Sequence, residues 1–257
     1  MTIDALVGHT GFVGGTLLRQ RCFDRIFNSR NIAEIRGQRF DTLVCAGVPA
    51  AKWLANRNPY QDWQGISGLI ECLDAATVRH FVLISTIDVY REPFRLTEDD
   101  APSVDGLEPY SLHRLRLERF VEERYASHAI VRLPALFGTG LKKNALYDLI
   151  NLNRTDNIVP NATFQWYPMR RLNRDLELIT AAGINLINVT AEPVTIEEVR
   201  TRFFPQVAIG PPVASPPRYD LRTIHDVLLG GHGGYHLRAA QVFDEMASFL
   251  AESPKRL

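Results

Sequence analysis

The chain has 257 residues, 46% of them hydrophobic, and its 29 Lys and Arg balance 29 Asp and Glu. That length supplies one full core, or a core with a small appended lobe. Zero formal charge excludes the basic footprint of a nucleic-acid binder. Cys22, Cys45 and Cys72 sit in apolar segments without paired spacing, which reads as reduced core thiols and excludes a disulfide framework.

Residues 2–7 form a short apolar run that predicts a buried strand. It gives way at once to Gly8-His-Thr-Gly11-Phe-Val-Gly14, after which Phe12, Val13, Leu17 and Leu18 recur at helical spacing. Strand, glycine turn and helix make up the entry unit of a dinucleotide-binding fold. A side chain at the turn would keep a pyrophosphate off the backbone, and the first N–H groups of the helix attract its charge. Gly8, Gly11, Phe12, Val13 and Gly14 are therefore candidate cofactor contacts.

Residues 24–28 predict a second strand, ending at Asn28-Ser29-Arg30. In this architecture the tip of that strand reaches the adenosine ribose. An acid there suits a 2′-hydroxyl, and an arginine suits a 2′-phosphate. Ser29 and Arg30 stand in place of the acid, which favours NADP, with NAD as the alternative. Residues 41–45 predict the next strand, running into Ala46-Gly47-Val48-Pro49, small residues that let a cofactor lie close to the backbone. Lys52 opens a short helix and is a candidate contact for a substrate phosphate, or an ordinary exposed lysine.

Ile66, Leu69, Ile70, Leu73 and Ala76 form a helical stripe, and residues 81–84 are a continuous apolar run, the pattern of a strand buried on both faces. Alternating strands and helices predict a doubly wound parallel sheet of the α/β class. The central strand ends in Ser85-Thr86-Ile87-Asp88-Val89-Tyr90, polar groups placed where such sheets bind ligands. After a loop over 91–107, Tyr110 opens a strong helix with Arg114 one turn later on the same face. A cation there is expected to lower the phenol pKa from its free value of about 10. Residues 129–133 predict a further strand, leading to Pro134 and Gly138.

Beyond about residue 140 the pattern changes. Helices are expected over 141–152, 172–184 and 239–250, and strands over 162–167, 186–188 and 206–209. Thr195-Ile-Glu-Glu198 is a capping box, residues 210–217 are a proline-rich connector, and Gly230, Gly231, Gly233 and Gly234 are expected to make a mobile loop. The division expected is a nucleotide-binding domain over 1–140 and a small substrate lobe over 141–257, partly interwoven with it. The seven histidines form no metal-ligand spacing, and no run is long and apolar enough for a membrane span. With no leader in view, the expected location is cytoplasmic.

Four of these stretches resemble the extended short-chain dehydrogenase/reductases, which include NAD(P)-dependent nucleotide-sugar epimerases, dehydratases and reductases. They are Gly8-x-x-Gly11-x-x-Gly14, Ser85-Thr86-x-x-Val89-Tyr90, Tyr110 at the head of its helix, and Arg132-Leu-Pro134 leading to Gly138. The resemblance implies that Thr86 holds a substrate oxygen, that Tyr110 exchanges a proton with it, and that Leu133 and Pro134 border the nicotinamide. It makes Asp88, Asn144, Phe164 and Gln165 candidates for a sugar-nucleotide pocket, and relatives often form homodimers through the helix that carries the tyrosine.

Two departures matter. The family's lysine four residues after the tyrosine is here Arg114, which keeps the charge but not the geometry. The acid pair of the dehydratases is here Ile87-Asp88, which disfavours elimination of water. The implied function is reduction of a keto group on a nucleotide-linked deoxysugar. An epimerase with tightly bound NAD(P) is the alternative. Arg114 keeps open a third reading, a non-catalytic NAD(P)-sensing or scaffold protein.

Overall fold

The computed structural model describes residues 2–252. In chain order the strands and helices are β1 (Asp4–Val7), α1 (Phe12–Gln20), β2 (Arg25–Phe27), β3 (Arg39–Cys45), α2 (Lys52–Arg57), α3 (Pro59–Asp74), β4 (Thr77–Thr86), α4 (Pro109–Arg124) and β5 (His128–Leu133). There follow β6 (Ala135–Phe137), α5 (Ala145–Asn151), β7 (Thr163–Phe164), β8 (Trp166–Pro168), α6 (Leu172–Ala181), β9 (Leu186–Asn188), β10 (Val194–Thr195), α7 (Ile196–Phe203) and α8 (Ala239–Glu252). The chain divides into two compact units. One holds the chain up to Arg91 with Asp100–Arg132 and Leu172–Ile187; the other holds Glu92–Asp99, Leu133–Arg171 and the chain from Asn188 on.

The first unit is built on a six-stranded parallel sheet of order β2-β1-β3-β4-β5-β9. The chain leaves β1 to one side to form β2, then crosses back to the other side to form β3. The carboxyl ends of β1 and β3 therefore flank the topological switch point, where open α/β sheets bind ligands. Register brings those ends level, with Val7 opposite both Phe27 and Cys45. The apolar runs predicted to be central strands are buried: Ala5, Leu6, Val7, Leu43, Val44, Phe81, Val82 and Leu83 are all closed to solvent. Against them α3 packs Ile66, Leu69 and Leu73, and α4 packs Leu117 and Val121. Phe81 stacks on Tyr125 with ring centroids 4.4 Å apart, and the Tyr125 hydroxyl donates to the Leu73 carbonyl. Cutting a side chain such as Leu73 back to alanine would cost about 2–5 kcal/mol. Cys45 and Cys72 are core thiols as expected, but Cys22, just past α1, is exposed. The apolar helix ends before it.

The start of α4 positions the candidate tyrosine. Pro109 stands in its first turn, and Glu108 at the N-cap makes no side-chain cap. The cap comes instead from α2, where Asn56 Oδ1 accepts the Tyr110 N–H at 2.9 Å. Helix termini leave such donors without intrahelical partners, so this bond fixes the helix entry.

The second unit has its own core around Phe137, Leu146, Trp166, Ile196, Val199, Val242 and Met246. Small sheets pair β6 with β8 in parallel and β7 with β10 antiparallel. The single strand expected over 162–167 is two strands in different sheets, broken at Gln165. That amide donates to the Ala191 and Leu221 carbonyls and accepts the Leu221 N–H. The capping box forms as expected, with Thr195 and Glu198 exchanging side-chain and backbone bonds. Residues 206–209 are not a strand. They run from a turn into extended chain after α7, and Gly210 N–H donates to Thr155 O.

Candidate active site

The three glycines of the opening turn have different roles. Gly8 has φ +90°, and a Cβ there would lie 2.3 Å from the Ala46 carbonyl oxygen at the end of β3. A Cβ on Gly14 would lie 2.2 Å from the Gly8 oxygen. Backbone cannot yield to either, so both glycines are explained by the packing of the turn on itself and on β3. Gly11 is exposed, and a Cβ on it would meet only the Gly8 oxygen at 3.4 Å, an ordinary contact. Protein packing does not demand a glycine there. Helix α1 begins at this point with no side-chain cap and no acid in its first turn, so the N–H groups of Phe12 and Val13 lie at an uncapped helix start. This arrangement suits a diphosphate.

The tip of β2 is tied to the same turn. The His9 Nδ1–H donates to the Phe27 carbonyl at 3.0 Å, and the Asn28 amide bonds both the other His9 nitrogen at 3.3 Å and the Arg30 N–H at 2.8 Å. Asn28 is half-buried, with Ser29 and Arg30 exposed beside it. Ala46, Gly47 and Val48 follow β3 on the other side of the switch point. A Cβ on Gly47 would lie 2.8 Å from the Val7 side chain, which accounts for the small residue by packing.

At the carboxyl end of β4, the Thr86 hydroxyl accepts the Asp88 N–H at 3.1 Å, and the Thr86 side chain lies beside that of Tyr110. Asp88 in turn pairs with Lys52 at 2.8 Å. Thr86, Tyr110, Asp88 and Lys52, singled out separately in the sequence, are thus neighbours.

Arg114 does not behave as its charge alone suggested. Its guanidinium is buried, with Nη1 donating to Asp62 Oδ2 at 2.5 Å and to the Tyr110 carbonyl at 3.1 Å. Nη2 donates to Asp62 Oδ1 at 3.0 Å and to the Pro49 carbonyl at 2.5 Å. The guanidinium carbon lies 3.9 Å from the centre of the Tyr110 ring. The expected lowering of the Tyr110 pKa is therefore wrong in sign. Burial, the largest effect, pushes the phenol above its usual value; Arg114 and Thr86 pull it down, but Asp88 and Asp62 add to the rise.

Asp62 was missed. It lies in line with Ile66, Leu69 and Leu73, at i, i+4, i+7 and i+11 of α3. An acid on a buried stripe demands a cation partner, and that is the signal the sequence offered. Its Oδ2 also bonds His113 Nδ1 at 2.7 Å. A second buried group on α4 was missed too. Glu118 accepts bonds from Arg132 on β5, at 2.6 Å to Nη2, and from the Ser85 hydroxyl; Arg132 Nη1 donates to the Tyr90 hydroxyl at 2.8 Å. This network fixes the strand end from which Thr86 projects. Burial pushes Glu118 up, and Arg132 pulls it back.

The remaining candidates belong to the second unit. Leu133 and Pro134 are buried where β5 ends. In the second unit Asn144 caps α5 by accepting the Tyr147 N–H and donating to Leu136 O. Gln165 is buried with its amide bonded to backbone, as described, and Phe164 stacks on Tyr219 with centroids 5.4 Å apart. The polar groups of Asn144 and Gln165 thus serve the fold of their own unit. Among the described residues there is no group of three or more His, Cys, Asp or Glu that could hold a metal, and no helix long and apolar enough to cross a membrane.

No protein-family model matches the chain, and no curated protein matches it in sequence. Solved structures do. The dTDP-4-dehydrorhamnose reductase of Bacillus anthracis in complex with NADP superimposes with a TM-score of 0.76 over 98% of this chain and 99% of that one, at 16% identity. The orthologue from Clostridium acetobutylicum gives 0.73 over 97% and 99% at 15% identity. The dTDP-glucose 4,6-dehydratase DesIV of Streptomyces venezuelae, a double mutant with NAD bound, gives 0.71 over 97% of each chain at 16% identity.

The chain has their fold. It is the doubly wound Rossmann-type architecture expected from the sequence, and these neighbours are extended short-chain dehydrogenase/reductases, the family that the four stretches resemble. At such low identity the likeness extends to the Rossmann-type fold alone.

Proposed function

We propose that the protein is an NADP-dependent oxidoreductase that reduces a keto group on a nucleotide-linked deoxysugar, with Tyr110 as proton donor. The observation that carries this reading is the placement of Thr86 beside Tyr110 at the carboxyl end of β4. Two hydroxyls side by side can hold a carbonyl oxygen from two directions. The opening turn fits a dinucleotide: Gly11 leaves room, and the uncapped start of α1 faces it. Gly8, Gly11, Phe12, Val13 and Gly14 would hold the diphosphate, Asn28, Ser29 and Arg30 the ribose end, and Ala46, Gly47 and Val48 would lie against the stretch between them and the nicotinamide. The bound cofactor would supply the hydride.

The chain's own residues handle the proton. Thr86 orients the substrate oxygen, and Tyr110 gives its proton to that oxygen as charge develops, which avoids a bare alkoxide. A phenol held above its usual pKa is protonated at neutral pH, the state a reductase needs. Ile87 is buried where the dehydratases carry an acid, which supports reduction over elimination. The Lys52–Asp88 pair stands beside the hydroxyls as a polar rim for the substrate.

The test is direct. Purified protein given NADPH and a nucleotide 4-keto-6-deoxysugar is expected to oxidise NADPH, and Tyr110→Phe to slow this by about 10²-fold or more. Undiminished turnover in that variant would overturn the proton path. The closure of Arg114 by Asp62 favours one second reading, a protein that binds NAD(P)H without turning it over. Tight NADPH binding with no consumption on any keto-sugar nucleotide would select it.

A further inference from the structure

We propose that Asp62 is a positioning residue that acts through Arg114: it locks the guanidinium over the Tyr110 ring, so that arginine, and not lysine, is the cation this site requires. The inference rests on the proposed role of Tyr110. Its geometry is a closed set of contacts. Both terminal guanidinium nitrogens reach Asp62, one also meets the Tyr110 carbonyl, and the other the Pro49 carbonyl past the end of β3. A lysine ammonium is one point and cannot span a fork between α3, α4 and the turn after β3. Nor can it lie flat on a ring as a guanidinium does. His113 bonds the same Asp62 oxygen from the next position along α4, so one carboxylate clamps two successive side chains of the turn that follows Tyr110.

The clamp has a chemical consequence. A rigid plate behind the ring fixes the direction in which the phenol hydroxyl points, toward Thr86. An unclamped ring would sample orientations in which its proton misses the substrate oxygen, and small misplacements are costly in rate. Asp62 makes no hydrogen bond to Thr86 or to the phenol hydroxyl; its direct influence on the phenol is the repulsion that raises its pKa, and its positioning effect passes through Arg114.

Two measurements test this. In steady-state kinetics, Asp62→Asn and Arg114→Lys should each lower kcat about tenfold or more with KM within about threefold, and the double variant should lose no more than either alone. Additive losses, or an Arg114→Lys protein as fast as wild type, would overturn the proposal. The second measurement needs no turnover. 3,5-Difluorotyrosine placed at position 110 gives a phenol acidic enough to titrate while the protein stays folded, followed by its phenolate absorbance in cofactor-free protein.

The charged groups that act on that phenol are Arg114 on α4, Asp62 on α3 and Asp88 after β4; Lys52 on α2 pairs with Asp88 and His113 on α4 with Asp62. If Asp62 anchors Arg114, Asp62→Asn frees the cation and the titration moves to higher pH, as it does in Arg114→Met. If Asp62 is only a nearby negative charge, removing it moves the titration to lower pH, and the proposal fails. Absence of keto-sugar reduction by the wild type would refute the functional reading, and the direction of the titration would still decide the role of Asp62.

Discussion

Gly11 and Gly14 look alike in sequence and differ in what surrounds them. Gly14→Ala places a methyl group 2.2 Å from a backbone oxygen, so the turn must shift; a loss of about 1–3 kcal/mol in denaturant unfolding is expected. Gly11→Ala meets nothing closer than 3.4 Å and should leave stability within about 1 kcal/mol of wild type. Its methyl group would still stand where a diphosphate must approach, so NADPH affinity, read by fluorescence titration, should fall about tenfold or more. A Gly11→Ala protein that binds NADPH as wild type does would show that the phosphates lie elsewhere. Tyr110 gives a second expectation at this scale. Its pKa is raised, so the protonated donor is present below the ordinary phenol value of about 10 and is lost only above it. Reductive kcat should therefore show no descending limb below about pH 10 from this group. A limb centred near pH 8 in the pH–rate profile would rule out Tyr110 in this environment as the donor. The motif residues Thr86 and Tyr110 were legible because local sequence marks strand and helix ends. The sign of the pKa shift was not, because it depends on how much water the fold removes and on Asp62, far away in sequence.

Helix α4 shows why pattern alone misleads at the level of elements. Its residues 110, 114, 118 and 121 share one face, and two of them, Arg114 and Glu118, are charged yet buried. Each is closed by a partner from another element, Asp62 on α3 and Arg132 on β5. The helix itself was readable from Leu115, Leu117, Phe120 and Val121, but sequence-local reading assigns such charges to solvent. A buried pair is weak evidence of net stability, yet removing one partner strands the other charge. Glu118→Gln should cost about 3–5 kcal/mol in urea unfolding, because Arg132 keeps its charge in the core. Replacing both, Glu118→Gln with Arg132→Met, should cost clearly less than the sum of the single changes, a coupling of about 1 kcal/mol or more. Strict additivity would mean the two side chains do not stabilise each other. The same limit of local reading explains residues 162–167. Alternation predicted one strand, but the Gln165 amide captures three backbone groups that are distant in sequence, which splits the segment between two sheets.

At the scale of the whole molecule, the parallel sheet was legible because its central strands carry short apolar runs, such as residues 5–7, 43–45 and 81–84, and runs of that kind need cover on both faces. The second unit was less so, since its strands are two or three residues long and its cohesion comes from side-chain-to-backbone bonds that leave no periodic trace. His236 is one such bond, and it ties global stability to pH. The ring is buried; Nδ1 accepts the Thr190 N–H at 3.1 Å, and Nε2 donates to the His225 carbonyl at 3.2 Å. That arrangement admits only the neutral tautomer, because a proton on Nδ1 would face the N–H it now accepts. Burial pulls the folded-state pKa down to about 4 from 6.5. Between those values the unfolded chain takes up a proton that the folded chain refuses, so this contribution to stability is complete above about pH 6.5 and is lost as pH falls toward 4. A difference of that size corresponds to roughly 3 kcal/mol at most. Urea midpoints followed from pH 7 to pH 4 should fall more steeply for the wild type than for His236→Asn, which offers an acceptor to the Thr190 N–H but no titratable ring. The variant will start lower at pH 7 for lost packing, so the slopes, not the midpoints, decide. Equal slopes would mean that the folded protein takes up the proton as readily as the unfolded chain, so that the bond to Thr190 does not hold the ring neutral.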